Sequence, residues 1–102
     1  MARLHFTPPA WRDLLAILSY VGADSPDRSR VFVGRIIDRC TVLEQYPLAG
    51  RPRVDLYHVD PGMRSLSVKP LIVFYRHVGD RVEVLRIVDG RRDLPTVFPE
   101  DI

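Results

Sequence analysis

Six arginines in the second half of the chain, Arg51, Arg53, Arg64, Arg86, Arg91 and Arg92, are the side chains best suited to recognition or chemistry. A guanidinium is a planar fork that grips carboxylates and phosphates with two parallel hydrogen bonds, whereas an ammonium is a mobile point charge. Arg51 and Arg53 flank Pro52, which limits backbone freedom and lowers the entropy lost on binding a partner. Arg64 alternates onto the same strand face as Leu66 and Val68, so it must be paired, with Asp55 or Asp93, or lie at the rim of the sheet. Arg86 interrupts the last apolar strand and raises the same question. If both emerge on the sheet face away from the helices, they form a positive patch. Arg91 and Arg92 follow Gly90 in a turn, where one pairs with Asp93 or a helix carboxylate and leaves the other for a partner. His5, His58 and His77 have no metal-ligand spacing with one another or with Cys40, so no metal and no cofactor is expected. Tyr75 reads as a structural hydroxyl at a sheet.

These side chains need a scaffold, and 102 residues allow one domain over 1–102 with a single core. Hydrophobic residues make up 46% and charged residues 27%, ordinary globular usage that excludes disorder and collagen-like repeats. Of fifteen basic residues only Lys69 is a lysine, yet the net charge is only +2. GC-rich codon usage accounts for that total, and a charge so small is modest for a nucleic-acid binder. The single Cys40 rules out an internal disulfide and fits a reducing cytosol. No apolar leader is visible near Met1, and the longest apolar run, Leu71 to Tyr75, is strand-sized, so no membrane association is expected.

Leu4 to Phe6 reads as a short strand. Thr7 then caps a helix that has proline in its first turn, with Trp11, Leu14, Leu15, Leu18 and Val21 on one face and Gly22 at its end. Ser25-Pro26-Asp27 repeats the start signal for a second helix, whose stripe of Phe32, Val33, Ile36, Ile37, Cys40 and Leu43 runs until Pro47. The short loop between them predicts an antiparallel hairpin with both stripes turned to a common core. Trp11 and Cys40 therefore read as core residues. From Pro47 to Gly62 the segment reads mainly as a loop. Strands follow over Arg64–Lys69, Leu71–Tyr75 and Val82–Val88, with Pro70 at a tight turn and Gly79-Asp80 at a two-residue hairpin. The expected fold is α+β: an N-terminal strand and an antiparallel two-helix hairpin packed on an antiparallel sheet of about four strands.

The order strand, helix, helix, Pro47-x-x-Gly50-Arg51-x-Arg53, Gly62-Met63-Arg64-Ser65, Val73-Phe74-Tyr75-Arg76 and Arg86-Ile87-Val88-Asp89-Gly90-Arg91-Arg92-Asp93 resembles the RelE/ParE superfamily of bacterial toxins from type II toxin–antitoxin modules. Asp13-Leu14 in the first helix also fits the pattern. The resemblance implies a cytoplasmic toxin that inhibits growth, with roles such as plasmid stabilisation, and a cognate antitoxin, ParD-like or similar, in a hetero-oligomeric complex. That antitoxin would wrap the toxin, laying a helix on the hairpin and sometimes a strand along the sheet edge.

The superfamily has two branches. ParE-like members bind DNA gyrase and are not enzymes, while RelE-like members resemble metal-independent endonucleases that cut mRNA on the ribosome. A nuclease needs a base for the ribose 2′-OH, cations for the phosphorane and an acid for the leaving oxygen. Arg64, Arg86 and Arg92 would be the cations here. The proton-transfer groups are poorly supplied: Leu71 and Ile72 stand where nucleases tend to carry a basic residue, Asp89 stands where many members have His, and no Tyr or His follows His77. The wording "GRPR", "GMRS", "IVFYR" and "GRRDL" sits closer to the ParE branch. A degenerate member that only binds antitoxin is the third reading.

Overall fold

The structure, a computed structural model, describes residues 1–98 apart from the side chains of residues 21 and 22. Its elements are strand β1 (Arg3–Phe6), helices α1 (Pro8–Gly22) and α2 (Pro26–Gln45), strands β2 (Arg51–Pro52), β3 (Arg64–Val68), β4 (Leu71–Val78) and β5 (Arg81–Asp89), and a one-turn helix α3 (Leu94–Val97). A 3-10 turn at Val54–Leu56 sits between β2 and β3. The expected α+β plan holds, with five strands in the order β1-β5-β4-β3-β2.

Local signals explain most boundaries. The Thr7 hydroxyl accepts from the Ala10 amide at 3.3 Å, capping α1, and donates to the Leu85 carbonyl at 3.1 Å. One side chain thus starts a helix and ties it to the last strand. Ser25 caps α2 through the Arg28 amide, with proline at the first helical position and Asp27 in the first turn. Gly79 takes a φ of +60° in the β4–β5 turn, a left-handed conformation that glycine adopts without penalty.

The sheet departs from expectation in two ways. β1 pairs with β5 in parallel, Arg3 opposite Arg81 through Phe6 opposite Val84, so the sheet is mixed. No turn chemistry signals a partner that far along the chain. Arg51 and Pro52, expected within a loop, form a two-residue edge strand against Ser65 and Arg64. Pro52 is tolerated there because an edge leaves the position of its missing N–H unpaired.

Packing against the helices uses Leu66, Val68, Leu71, Val73, Tyr75, Val82, Val84 and Ile87 from the sheet. α2 presents Ile36, Cys40 and Leu43, with Phe32 and Val33 half-buried, much as its spacing predicts. Ile37 is exposed. Burial pushes the Cys40 thiol up to about 12, so it stays protonated and inert.

α1 corrects the expected stripe. Its core face is Ala10 and Leu14, with Ile17 packed against them, while Trp11, Leu15 and Leu18 are 51%, 61% and 38% exposed. Trp11 lies against Phe6 with ring centroids 5.2 Å apart. Nearly every position of α1 apart from Arg12, Asp13 and Ser19 is apolar or small, so two helical phases fit the spacing. Small Ala10, fully buried, marks the chosen phase. Val21, also placed in that stripe, lies outside the described side chains.

The opposite sheet face has its own small core of Leu56, Met63, Phe74, Val88, Val97 and Phe98, contributed by the 3-10 turn, β4, β5 and the α3 segment. A bulge opposite Phe74 and Tyr75 leaves Leu85 without a register partner and shifts the alternation of β5 by one residue. The helix-facing residues are accordingly Val82, Val84 and Ile87.

At this bulge Arg86 reaches α1. Its Nε and a terminal nitrogen donate to the two Asp13 carboxylate oxygens at 2.7 and 3.0 Å, and the Ile87 amide donates to the same carboxylate at 2.8 Å. These hydrogen bonds hold the Arg86 pKa above its ordinary value. Asp13→Ala removes three acceptances and strands a half-buried cation. We expect a loss of about 2–3 kcal/mol in urea unfolding, below the full buried-pair figure because both groups keep some solvent.

Candidate functional site

The six arginines divide sharply by what their guanidinium groups touch. Arg53 is 7% exposed and grips Asp55 with Nε and a terminal nitrogen at 3.0 and 2.8 Å. It also donates to the Ser65 hydroxyl at 3.4 Å and lies 5.2 Å from the centre of the Phe74 ring. This pairing draws the Asp55 carboxyl below the usual carboxylate range.

Arg64 shares the helix-facing side of β3 with Leu66 and Val68, as alternation predicts, but pairs with no acid among the described residues. Its guanidinium donates to the carbonyls of Gly50 at 2.8 Å and Leu48 at 3.3 Å. The expected acids are otherwise engaged, Asp55 by Arg53 and Asp93 by the Thr96 hydroxyl. Arg64 and Arg86 therefore form no common patch on the face away from the helices. Arg86 is bound by Asp13 and by the Val97 carbonyl at 3.1 Å.

Arg91 pairs with Asp89, two residues back, and not with Asp93 or a helix carboxylate. Its side chain makes two hydrogen bonds to Asp89, at 3.0 and 2.9 Å, and its own amide adds a third. Among the described residues the guanidinium groups of Arg51 and Arg92 make no hydrogen bond or ion pair. They lie apart: β3 and β4 separate β2 from β5, on the order of 14 Å across the sheet. Arg51 borders a cavity of about 370 Å³ lined also by Ser65, Ser67 and Ile72.

The loop presenting Arg51 is fixed from beneath. The Tyr75 hydroxyl donates to the Pro47 carbonyl at 2.9 Å and accepts from the Gly50 amide at 2.8 Å. Burial pushes the Tyr75 pKa up, so the phenol stays neutral, in the structural role its place in the sequence suggests. Among the described residues no three of His, Cys, Asp and Glu gather to hold a metal ion, and no helix is long and apolar enough to cross a membrane.

Exposed Trp11, Leu15 and Leu18 form a second feature, recurring at helical spacing along α1. Sequence reasoning assigned them to the core. The two possible phases of α1 were the one signal that this stripe could face outward.

The model of the ParE toxin of the type II toxin–antitoxin system parDE matches residues 4–94. The chain belongs to the ParE toxin family. It is similar to Toxin ParE3 of Caulobacter vibrioides, with 50% identity over 52 residues, a match that spans 51% of this chain and about half, 49%, of that relative. Its fold resembles a solved chain described as the chromosomal ParDE TA system from P. aeruginosa. That match has a TM-score of 0.73 and 31% identity, covering 87% of this chain and 96% of the other. The ParE-type motifs in this chain therefore sit largely on arginines that hold its own loops and helices in place.

Two measurements check this geometry. A Cβ at Gly50 would lie 2.6 Å from the Tyr75 ring and hydroxyl and 2.7 Å from the Ser65 carbonyl. Gly50→Ala should therefore cost about 1–3 kcal/mol in urea unfolding. Arg91 holds the Asp89 carboxyl down to about 2. A carboxylate lowered on folding stabilises the fold above its unfolded pKa of about 3.9 and loses that contribution as pH falls toward 2. Carbon-detected NMR titration of Asp89 should give a midpoint near 2, and Arg91→Ala should move it toward about 4.

Proposed function

We propose that this ParE-family toxin inhibits growth by binding DNA gyrase, acts by occupancy and not by catalysis, and is neutralised by a cognate ParD-like antitoxin in a cytoplasmic hetero-oligomer. The observation that carries the reading is the engagement of Arg64 and Arg86. Of the three cations a nuclease would direct at a phosphorane, Arg64, Arg86 and Arg92, the first two are held by protein acceptors. Tyr75 is buried and committed to the Pro47–Gly50 loop, and His77 lies near the far end of β4. The exposed stripe of Trp11, Leu15 and Leu18 supports antitoxin docking, because a partner helix would bury apolar area that the lone chain leaves in water. Plasmid stabilisation follows as a role if toxin and antitoxin are carried together.

Arg51 is the target-binding residue this reading favours, being exposed, unpaired among the described residues and set in a fixed loop. One purified preparation, tested for inhibition of gyrase supercoiling and for mRNA cleavage on programmed ribosomes, separates the branches. We expect inhibition at micromolar toxin and intact mRNA. Arg51→Ala should weaken inhibition about tenfold while unfolding stability changes by less than about 0.5 kcal/mol, and Arg28→Ala should do neither. Cleaved mRNA with normal supercoiling would establish the nuclease reading. Growth unaffected by soluble toxin, with intact antitoxin binding, would identify a degenerate member.

A further inference from the structure

The cavity of about 370 Å³ beside Arg51 is built by strand register on the sheet face turned away from the helices. Arg51 lies opposite Ser65, Ser65 lies opposite Phe74 on its other side, and Ser67 lies opposite Ile72. With a two-residue period these side chains share one face, and Phe74 and Ile72 identify it as the face of the second small core. Two cations line the cavity, and they differ. The charge of Arg53 is already met by Asp55, which gives both carboxylate oxygens to it. Arg51 is exposed, and its guanidinium has no hydrogen bond or ion pair among the described residues. The Ser65 hydroxyl accepts from Arg53, which leaves its own proton to donate. The exposed Ser67 hydroxyl has no partner among the described residues, and no acid lines the cavity.

We infer that this cavity receives an aspartate or glutamate side chain of the gyrase protein, its carboxylate gripped by Arg51 and met by the Ser67 hydroxyl, its methylene groups against Ile72. This rests on the gyrase reading above and adds which chemical group of the target is taken up, and where. Charge and stiffness select the occupant. DNA held by gyrase would need several unpaired cations along its backbone, and the cavity offers one. An uncharged side chain would leave Arg51 partly stripped of water without a partner, whereas a carboxylate meets its fork with two parallel bonds. The frame is set before binding. The Tyr75 hydroxyl and the Arg64 guanidinium between them hold the carbonyls of Pro47, Leu48 and Gly50 and the Gly50 amide. The backbone that carries Arg51 therefore loses little freedom when the carboxylate arrives.

The test is calorimetric titration of the full chain with gyrase, in the presence and in the absence of DNA. Arg51→Glu reverses the charge, and Ser67→Glu supplies the cavity with a carboxylate of its own. Both positions are exposed, and unchanged unfolding midpoints would verify intact folds. The wild-type chain should bind DNA-free gyrase, and each variant should bind it about tenfold more weakly or worse. Ser67→Gln, with the bulk of Glu and no charge, should bind about threefold more tightly than Ser67→Glu. Wild-type affinity in both Glu variants, with supercoiling still inhibited, would overturn the carboxylate receptor and leave the gyrase reading standing. Binding that requires DNA and is lost in both variants would assign the cavity to a phosphate and overturn the inference equally. A wild-type chain that neither binds gyrase nor inhibits supercoiling would overturn both readings.

Discussion

The Asp13 carboxylate joins the two halves of this molecule. It accepts two hydrogen bonds from Arg86 and one from the Ile87 amide, across more than seventy residues of sequence. Arg86 in turn donates to the Val97 carbonyl, so the same joint reaches the segment that closes the second small core. Apolar packing alone would let α1 settle in more than one rotational phase, since apolar residues ring most of it. A charge that must meet a guanidinium and an amide at fixed positions admits one phase. Ala10 and Leu14 then face the core, and Trp11 and Leu15 face out. The exposed stripe is thus a consequence of where one carboxylate has to go.

Arginine performs this kind of work throughout the fold. Arg53 stacks near Phe74 while gripping Asp55, Arg64 gathers two loop carbonyls, and Arg76 bridges Glu83 and Asp60. Lysine could not replace these planar, many-donor contacts. The preference for arginine over lysine therefore has a structural use here, whatever its genomic origin.

Much of the architecture was legible in the sequence. Thr7, Ser25, Gly79 and the apolar runs of β4 and β5 marked their elements through local capping and turn chemistry, and the order of the motifs pointed to the ParE fold. Long-range relations were harder to read: the parallel pairing of β1, the two-residue strand at Arg51 and the acceptors of Arg64 depend on neighbours that no local pattern names. The bulge in β5 did leave a trace. Val82 and Val84 keep the alternation and Ile87 breaks it by one residue, the shift that an extra residue produces. Among the six candidate arginines, only geometry separated those bound internally from Arg51 and Arg92, whose guanidinium groups make no hydrogen bond or ion pair among the described residues.

The parallel pairing of β1 with β5 also sets a timetable for synthesis. Phe6 leaves the ribosome long before its partner Val84, by on the order of 4–16 s at ordinary elongation rates. Until then the N-terminal strand has no neighbour, the Asp13 carboxylate has no Arg86, and the helical hairpin has only part of a sheet to rest on. Pairings this distant slow folding, because loop closure precedes the contacts that reward it. Between the synthesis of Gln45 and that of Val84 the nascent chain therefore carries a complete helical hairpin without the strand that ties it down.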